Sequence, residues 1–198
     1  MQHAALGVRM HSGWGVLVAI GESTNSVEVL ARRRIITMDP ATPGAKQPYH
    51  FAEGFALPLA ERHIKQCAAV SEQLSYEALE AVVRTLEERQ VSIVGAAILA
   101  ASGRVLPSLE KILAAHPLLH AAEGEFFRHA VRVACDRLGI PLTAISEREL
   151  EGRAHSAFGN TARGIQNNIS SVGSSIGPPW TADHKNAALA AAIVLTAH

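Results

Sequence analysis

The run Trp180-Thr-Ala-Asp183-His184-Lys185-Asn186-Ala-Ala-Leu189-Ala-Ala-Ala-Ile193-Val194-Leu195 constrains this chain more than any other stretch. Polar and charged residues open it, and from Ala187 to Leu195 every residue is Ala, Leu, Ile or Val. A helix that is apolar on every side has no face to give to water and must be buried. Its polar first turn is then left at the edge of the layer it packs against. Negative side chains are favoured there, because the first N–H groups of a helix lack partners within it. The run falls short of the about 20 apolar residues that span a bilayer, so a core helix is expected and a membrane partner is not.

The 198 residues are enough for one domain, 1–198, with a substantial core. Apolar residues make up 48 %, charged residues 18 %, and the formal net charge is +0, which describes a globular chain. Neutrality lacks the basic excess of a dedicated nucleic-acid-binding domain and leaves room only for a local basic patch. Cys67 and Cys135 form no metal motif and sit in apolar helical segments, so buried free thiols and a reducing compartment are expected. The first twenty residues carry Arg9, His11 and several glycines without a basic leader, and read as strands instead of a signal peptide. A cytoplasmic location follows as the expectation.

Ala4–Met10 and Gly13–Ile20 form a hairpin candidate around a short His-Ser break, and Val27–Thr37 is a third strand with Arg32-Arg33-Arg34 at its centre. Residues 38–57, with Pro40, Pro43, Gly44, Pro48 and Gly54, read as a long loop. Leu59–Gln73 follows as a helix, and Ser75 reads as the N-cap of a separate helix over Tyr76–Arg89. Ser92–Ala100 has the length and uninterrupted apolarity of a central strand. Pro107 opens a short helix, Glu123–Leu138 is a longer one stopped by Gly139, and Pro141–Ile145 is a strand. Ser146 and Glu149 form a capping-box pattern that starts another helix, and 152–179, rich in Gly, Ser and Asn, reads as a second long loop with at most short helical turns. An antiparallel three-strand meander followed by alternating helices and strands defines an α/β fold, a mixed sheet with helices on both faces.

Several short segments carry a family resemblance. Leu6-Gly7-Val8-Arg9 followed by Ser12-Gly13-Trp14-Gly15-Val16-Leu17, the stretch Arg128–Ile145 with Gly139-Ile140-Pro141, and Asp183-His184-Lys185-Asn186-Ala187 resemble the first hairpin, a helix-to-strand return and the last helix of the RuvC-type resolvase branch of the ribonuclease H-like superfamily. The resemblance implies a ribonuclease H-like mixed sheet, with Leu6–Met10 and Ser92–Ala100 as adjacent parallel strands. Enzymes of that superfamily use carboxylates to hold two divalent cations. Here Arg9 stands where the resemblance places the first aspartate, Ala96–Ala100 contains no acid, and Asn186 takes the last aspartate position, leaving Asp183. Two-metal hydrolysis by the usual constellation is therefore not expected, and neither is a cofactor or a metal.

Two polar clusters remain. His116-Pro-Leu-Leu-His120 with Glu123 and Glu125 has the residue types of a metal or acid–base site, although Pro117 is expected to disturb the helix that would align the histidines. The plainer reading is a helix start with Glu123 and Glu125 on its dipole. Asp183, His184 and Lys185 are candidates for anion binding or acid–base work, with Thr181 or Asp183 as a simple N-cap as the plainer reading. The segment Gly173–Trp180 lacks the Gly-Lys-Ser/Thr ending of a phosphate loop and reads as a loop anchored by Trp180. Arg32–Arg34 with Arg9 could meet phosphates or simply guard a strand edge.

The leading expectation is a ribonuclease H-like protein without two-metal nuclease activity that binds nucleic acid or a small phosphorylated or anionic ligand through Arg9, His184 and Lys185. The first alternative is a magnesium- or manganese-dependent hydrolase whose site has been rebuilt from Asp183, Glu123, Glu125 and His120. The second is a structural subunit pairing with a partner, a homo-oligomer included.

Overall fold

The computed structural model of the protein describes residues 2–22, 26–100 and 105–198. Strands β1 (Gln2–His11), β2 (Trp14–Gly21) and β3 (Glu28–Ile36) form the antiparallel meander. β4 (Val91–Ala100) lies parallel to β1, and β5 (Leu142–Ser146) parallel to β4, giving one five-stranded sheet in the order β3-β2-β1-β4-β5. This is the ribonuclease H-like arrangement, with the two expected central strands side by side.

Alternation along β1 assigns its two faces. Ala4, Leu6 and Val8 join the core beneath α2 (Leu57–Glu87) and α4 (His116–Arg137), whereas Ala5 joins the core beneath α8 (Ala182–Leu195). Gly7 lies on the α8 side, where a Cβ would stand 1.8 Å from the carbonyl oxygen of Ala187. Only glycine permits that approach of helix to strand. β4 repeats the device at Gly95, where a Cβ would stand 2.8 Å from Val194 Cγ1.

α8 is buried as its composition requires, with Ala187 through Ala192 and Val194 all inside. A sheet can cover only one side of such a helix. The other side is covered by α5 (Leu150–Phe158), a 3₁₀ turn (Gly159–Thr161), α6 (Ala162–Ser171) and α7 (Gly173–Ile176), which contribute Leu150, Ala154 and Ile169 to the same core. The expected loop over 152–179 is therefore mostly helical. Its small residues read as turn formers in isolation, but the demand to cover α8 overrides that preference.

Three further expectations are corrected. The loop over 38–57 contains α1 (Pro48–Ala52) and gives way to α2 at Leu57. α2 is one helix of 31 residues, not two, and Ser75 is buried inside it instead of capping it. Nothing between Gln73 and Tyr76 breaks a helix, and cap preference is a weak force beside continuous packing against α4. Ser146 and Glu149 make no capping box: Ser146 ends β5, and Glu149 precedes α5 without a side-chain cap.

α3 (Leu109–Leu113) is the short helix expected after Pro107. Gly139 stops α4 as expected, with φ +66° and the Schellman pair of bonds, Ile140 N–H to Cys135 O at 2.9 Å and Gly139 N–H to Asp136 O at 3.0 Å. Cys67 and Cys135 are buried free thiols, and burial pushes the Cys135 thiol up to about 12. No described helix is long and apolar enough to cross a membrane.

The contact at Gly7 gives a direct test. Gly7→Ala should lower stability by about 3 kcal/mol, at the upper end of ordinary overpacking because backbone must move, and denaturant midpoints would measure it. A shift under about 0.5 kcal/mol would mean that α8 does not lie this close to β1.

Candidate functional site at the ends of β1, β5 and α8

Arg9 and His11 leave β1 on the same face, two residues apart, beyond the point where α8 crosses Gly7. Asp183 projects from the first turn of α8 and meets both: Arg9 Nη1 donates to Asp183 Oδ1 at 2.6 Å, and His11 Nε2 lies 2.9 Å from Oδ2. Glu147, the residue after β5, closes the other side of the guanidinium. Arg9 Nε and Nη2 donate to its two carboxylate oxygens, each at 3.2 Å. Arg9 thus engages two carboxylates, one of them through a two-pronged contact. The His11 ring stacks on Trp14 at 4.3 Å, and the Arg34 guanidinium lies over Trp14, also at 4.3 Å.

Of the residues expected to bind a ligand here, Arg9 is thus occupied by Asp183 and Glu147. His184 points inward. It is 6 % exposed, its Nδ1 accepts from the Thr181 backbone N–H at 3.2 Å and lies 2.8 Å from Thr181 Oγ1, so Thr181 and His184 are the capping partners of α8. Burial, then the Arg32 charge, holds the His184 imidazole below its ordinary range, against the opposing pull of Asp183. Lys185 has no ion-pair partner among the described residues. With Glu147, Arg148 and Asn186 it lines a groove of about 330 Å³ between α8 and the start of α5. A larger cavity of about 740 Å³ lies beside Ile20, Phe158 and Leu195, and none of the site residues lines it.

The arginine run on β3 divides by exposure. Arg32 donates to the carbonyls of Gly177 and Pro179 at 2.8 and 2.6 Å, tying the chain before α8 to the sheet, while Arg33 and Arg34 are exposed. Trp180 anchors the same segment by donating to Ile169 O at 2.7 Å.

His120, Glu123 and Glu125 lie on the other side of the sheet, in the α2/α4 layer. α4 begins at His116 with Pro117 in its first turn, where a missing N–H costs nothing. Pro117 therefore starts the helix instead of disturbing it, and aligns His116 with His120, whose Nε2 atoms are 3.1 Å apart. Glu123 and Glu125 consequently lie beyond the first turn and do not serve its dipole. Glu125 pairs with Arg128 and Arg132 along its own helix. Glu123 is 3 % exposed and accepts from the backbone N–H groups of Tyr49 and His50 at 2.8 and 3.0 Å. Burial holds its carboxyl above the ordinary range against the opposing hydrogen bonds from His50 and Tyr49. Neither Glu123 nor Glu125 hydrogen-bonds or ion-pairs with Asp183.

Sequence reasoning missed His11, Glu147 and His50. His11 was accessible through strand alternation, being two residues past Arg9. Glu147 was accessible in principle as the residue at the C-terminal end of a parallel strand, where sites of α/β sheets gather. His50 carries no such signal.

No protein-family model matches the chain, and no curated protein matches it. Among solved structures, the RuvC of Thermus thermophilus in complex with a Holliday junction substrate is similar over 98 % of this chain and 93 % of its own, at 13 % identity and a TM-score of 0.51. A second structure of Thermus thermophilus RuvC gives the same coverage and identity at a TM-score of 0.50. At this identity the likeness establishes the shared fold.

The cap at His184 sets a pH dependence. Because its folded-state pKa lies below the ordinary value of 6.5, the unfolded chain binds the proton more readily, and stability rises with pH across that window. The His184 contribution should be complete above 6.5 and fall away as pH drops below it. Thermal melts from pH 7.5 to 5 should show His184→Gln losing less stability than the wild type. Parallel losses would refute the assignment.

Proposed function

We propose that this chain is a ribonuclease H-like domain that binds nucleic acid and does not cut it by two-metal chemistry. The observation that carries the reading is the placement of the Arg9 guanidinium between the carboxylates of Asp183 and Glu147. A metal-dependent site needs such carboxylates free to ligate cations. Here a fixed organic cation engages both, and a divalent ion arriving beside it would meet repulsion as well as a shortage of ligands. β4 adds no acid between Ala96 and Ala100.

Binding draws on other groups. Lys185 and Arg148 line the groove beside α8, and Arg33 and Arg34 are exposed on the edge strand β3. Such cations contact phosphates without reading sequence. The likeness in fold to a resolvase solved on a Holliday junction supports nucleic acid as the ligand class. A small phosphorylated ligand is the second reading, favoured by the modest size of the Lys185 groove.

Purified protein incubated with branched, duplex and single-stranded DNA plus magnesium or manganese should give no cleavage above a protein-free control. Cleavage that disappears in Asp183→Ala would overturn the reading. In fluorescence anisotropy, the wild type should bind the branched DNA, and Lys185→Ala should weaken binding and reduce the log–log salt slope by about 1. Binding of neither DNA nor phosphate would refute a ligand at this groove, and binding of phosphate alone would favour the second reading. Arg9→Asp should raise manganese affinity at least 10-fold over wild type. Unchanged affinity would show that Arg9 is not what keeps cations out.

A further inference from the structure

On the face of the sheet opposite Arg9, α1 brings His50 against the first turn of α4. One ring nitrogen from each of His50, His116 and His120 lies within 4.8 Å of the others, although 66 residues separate His50 from His116. The His50 ring is 4.7 Å from that of His120 and 5.4 Å from that of His116. We propose that these three imidazoles bind a single transition-metal ion of the zinc class, with Glu123 as the carboxylate that orients His50.

The geometry fits the coordination chemistry. Zinc–nitrogen bonds of about 2.1 Å in a tetrahedron put ligand nitrogens roughly 3.4 Å apart. His116 Nε2 and His120 Nε2 stand at 3.1 Å, so a small adjustment opens them to that spacing. The i, i+4 placement on one helix supplies this pair, and Pro117 fixes the turn between them. Without an ion one hydrogen bond joins the two neutral rings, and a shared cation would replace it with two metal–nitrogen bonds.

His50 carries the stronger argument. Its Nδ1 lies 3.1 Å from Glu123 Oε1, while its Nε2 is buried without a hydrogen-bond partner among the described residues. A buried ring nitrogen without a partner is a net cost to the fold unless something binds it. With the proton on Nδ1 facing the carboxylate, Nε2 presents its lone pair as a metal ligand does. Metal-binding histidines commonly donate their second N–H to a carboxylate in this way. Three nitrogen ligands leave a fourth position for water, the ligand count of a catalytic rather than a closed structural zinc site. Asp183 and Glu125 take no part, so this is not the site assembled from the sequence alone.

Isothermal titration of the full, tag-free chain with zinc should show one equivalent bound, and cobalt(II) should give the visible absorption of a low-coordinate nitrogen site. His116→Ala and His120→Ala, both at exposed positions, and His50→Ala should each weaken zinc binding at least 10-fold with the circular dichroism unchanged. If His50→Ala fails to fold, the two exposed variants carry the test. Glu123→Gln should weaken it about 10–100-fold. His155→Ala, on the exposed surface of α5, should bind like the wild type. Absence of a stoichiometric site would overturn the proposal, as would affinity that survives both His116→Ala and His120→Ala or falls equally in His155→Ala.

Discussion

The contact between the Ala187 carbonyl and Gly7 fixes the position of nearly everything else on its side of the sheet. α8 runs antiparallel to β1, and the absence of a Cβ at Gly7 lets its backbone settle onto the strand. One helical turn back from Ala187, about 6 Å along the axis, is Asp183. Two residues on from Gly7, a step of almost the same length in the same direction, is Arg9. The meeting of Asp183 with Arg9 and His11 is thus a consequence of two periodicities started from one close contact. Gly95 against Val194 holds the far end of the helix and keeps the axis from swinging.

The two polar clusters follow opposite electrostatic logics. Around Arg9, positive and negative groups satisfy one another, and the half-exposed Glu147 leaves water to screen what remains. Around His50 the groups are more deeply buried, and two atoms, His50 Nε2 and Glu123 Oε2, have no hydrogen-bond partner among the described residues. A cluster of the first kind is complete as it stands. One of the second kind holds a cost that the fold bears for a reason other than packing.

The sheet was legible because most strands carried a strong, local signal: apolar runs of strand length, and a His-Ser hairpin break that the structure places one residue later, at Ser12-Gly13. α8 was legible for the same reason. The covering helices α5 to α7 were not, since Gly152, Gly159, Gly164 and several serines weaken helix propensity, and only the need of α8 for a second covering layer decides their state. That need was implicit in the all-apolar run, yet it acts between segments and leaves no mark within residues 152–179. The single helix α2 shows a related limit, where Ser75 matched a cap locally while packing ran straight through it. At the Arg9 site, Arg9 and Asp183 could be picked out by resemblance, whereas Glu147 had only its place after the parallel strand β5 to mark it. His50 lacked even that, since a histidine between prolines and glycines says nothing of a helix that begins 66 residues later.

The enclosure of α8 also sets an order of events during synthesis. The Ala5, Ala97 and Leu99 face of the sheet and the inner faces of α5 and α6 meet on this helix in one core. A nascent chain that has emerged only as far as α7 therefore holds two apolar surfaces with the wedge between them still inside the ribosome. The α2/α4 side can consolidate early, because β1 to β4 with those two helices build the other core without α8. The half that carries Arg9 and Glu147 must wait until about residue 195 is free, which makes the interval before α8 arrives the one in which this chain is most exposed to aggregation and to chaperones.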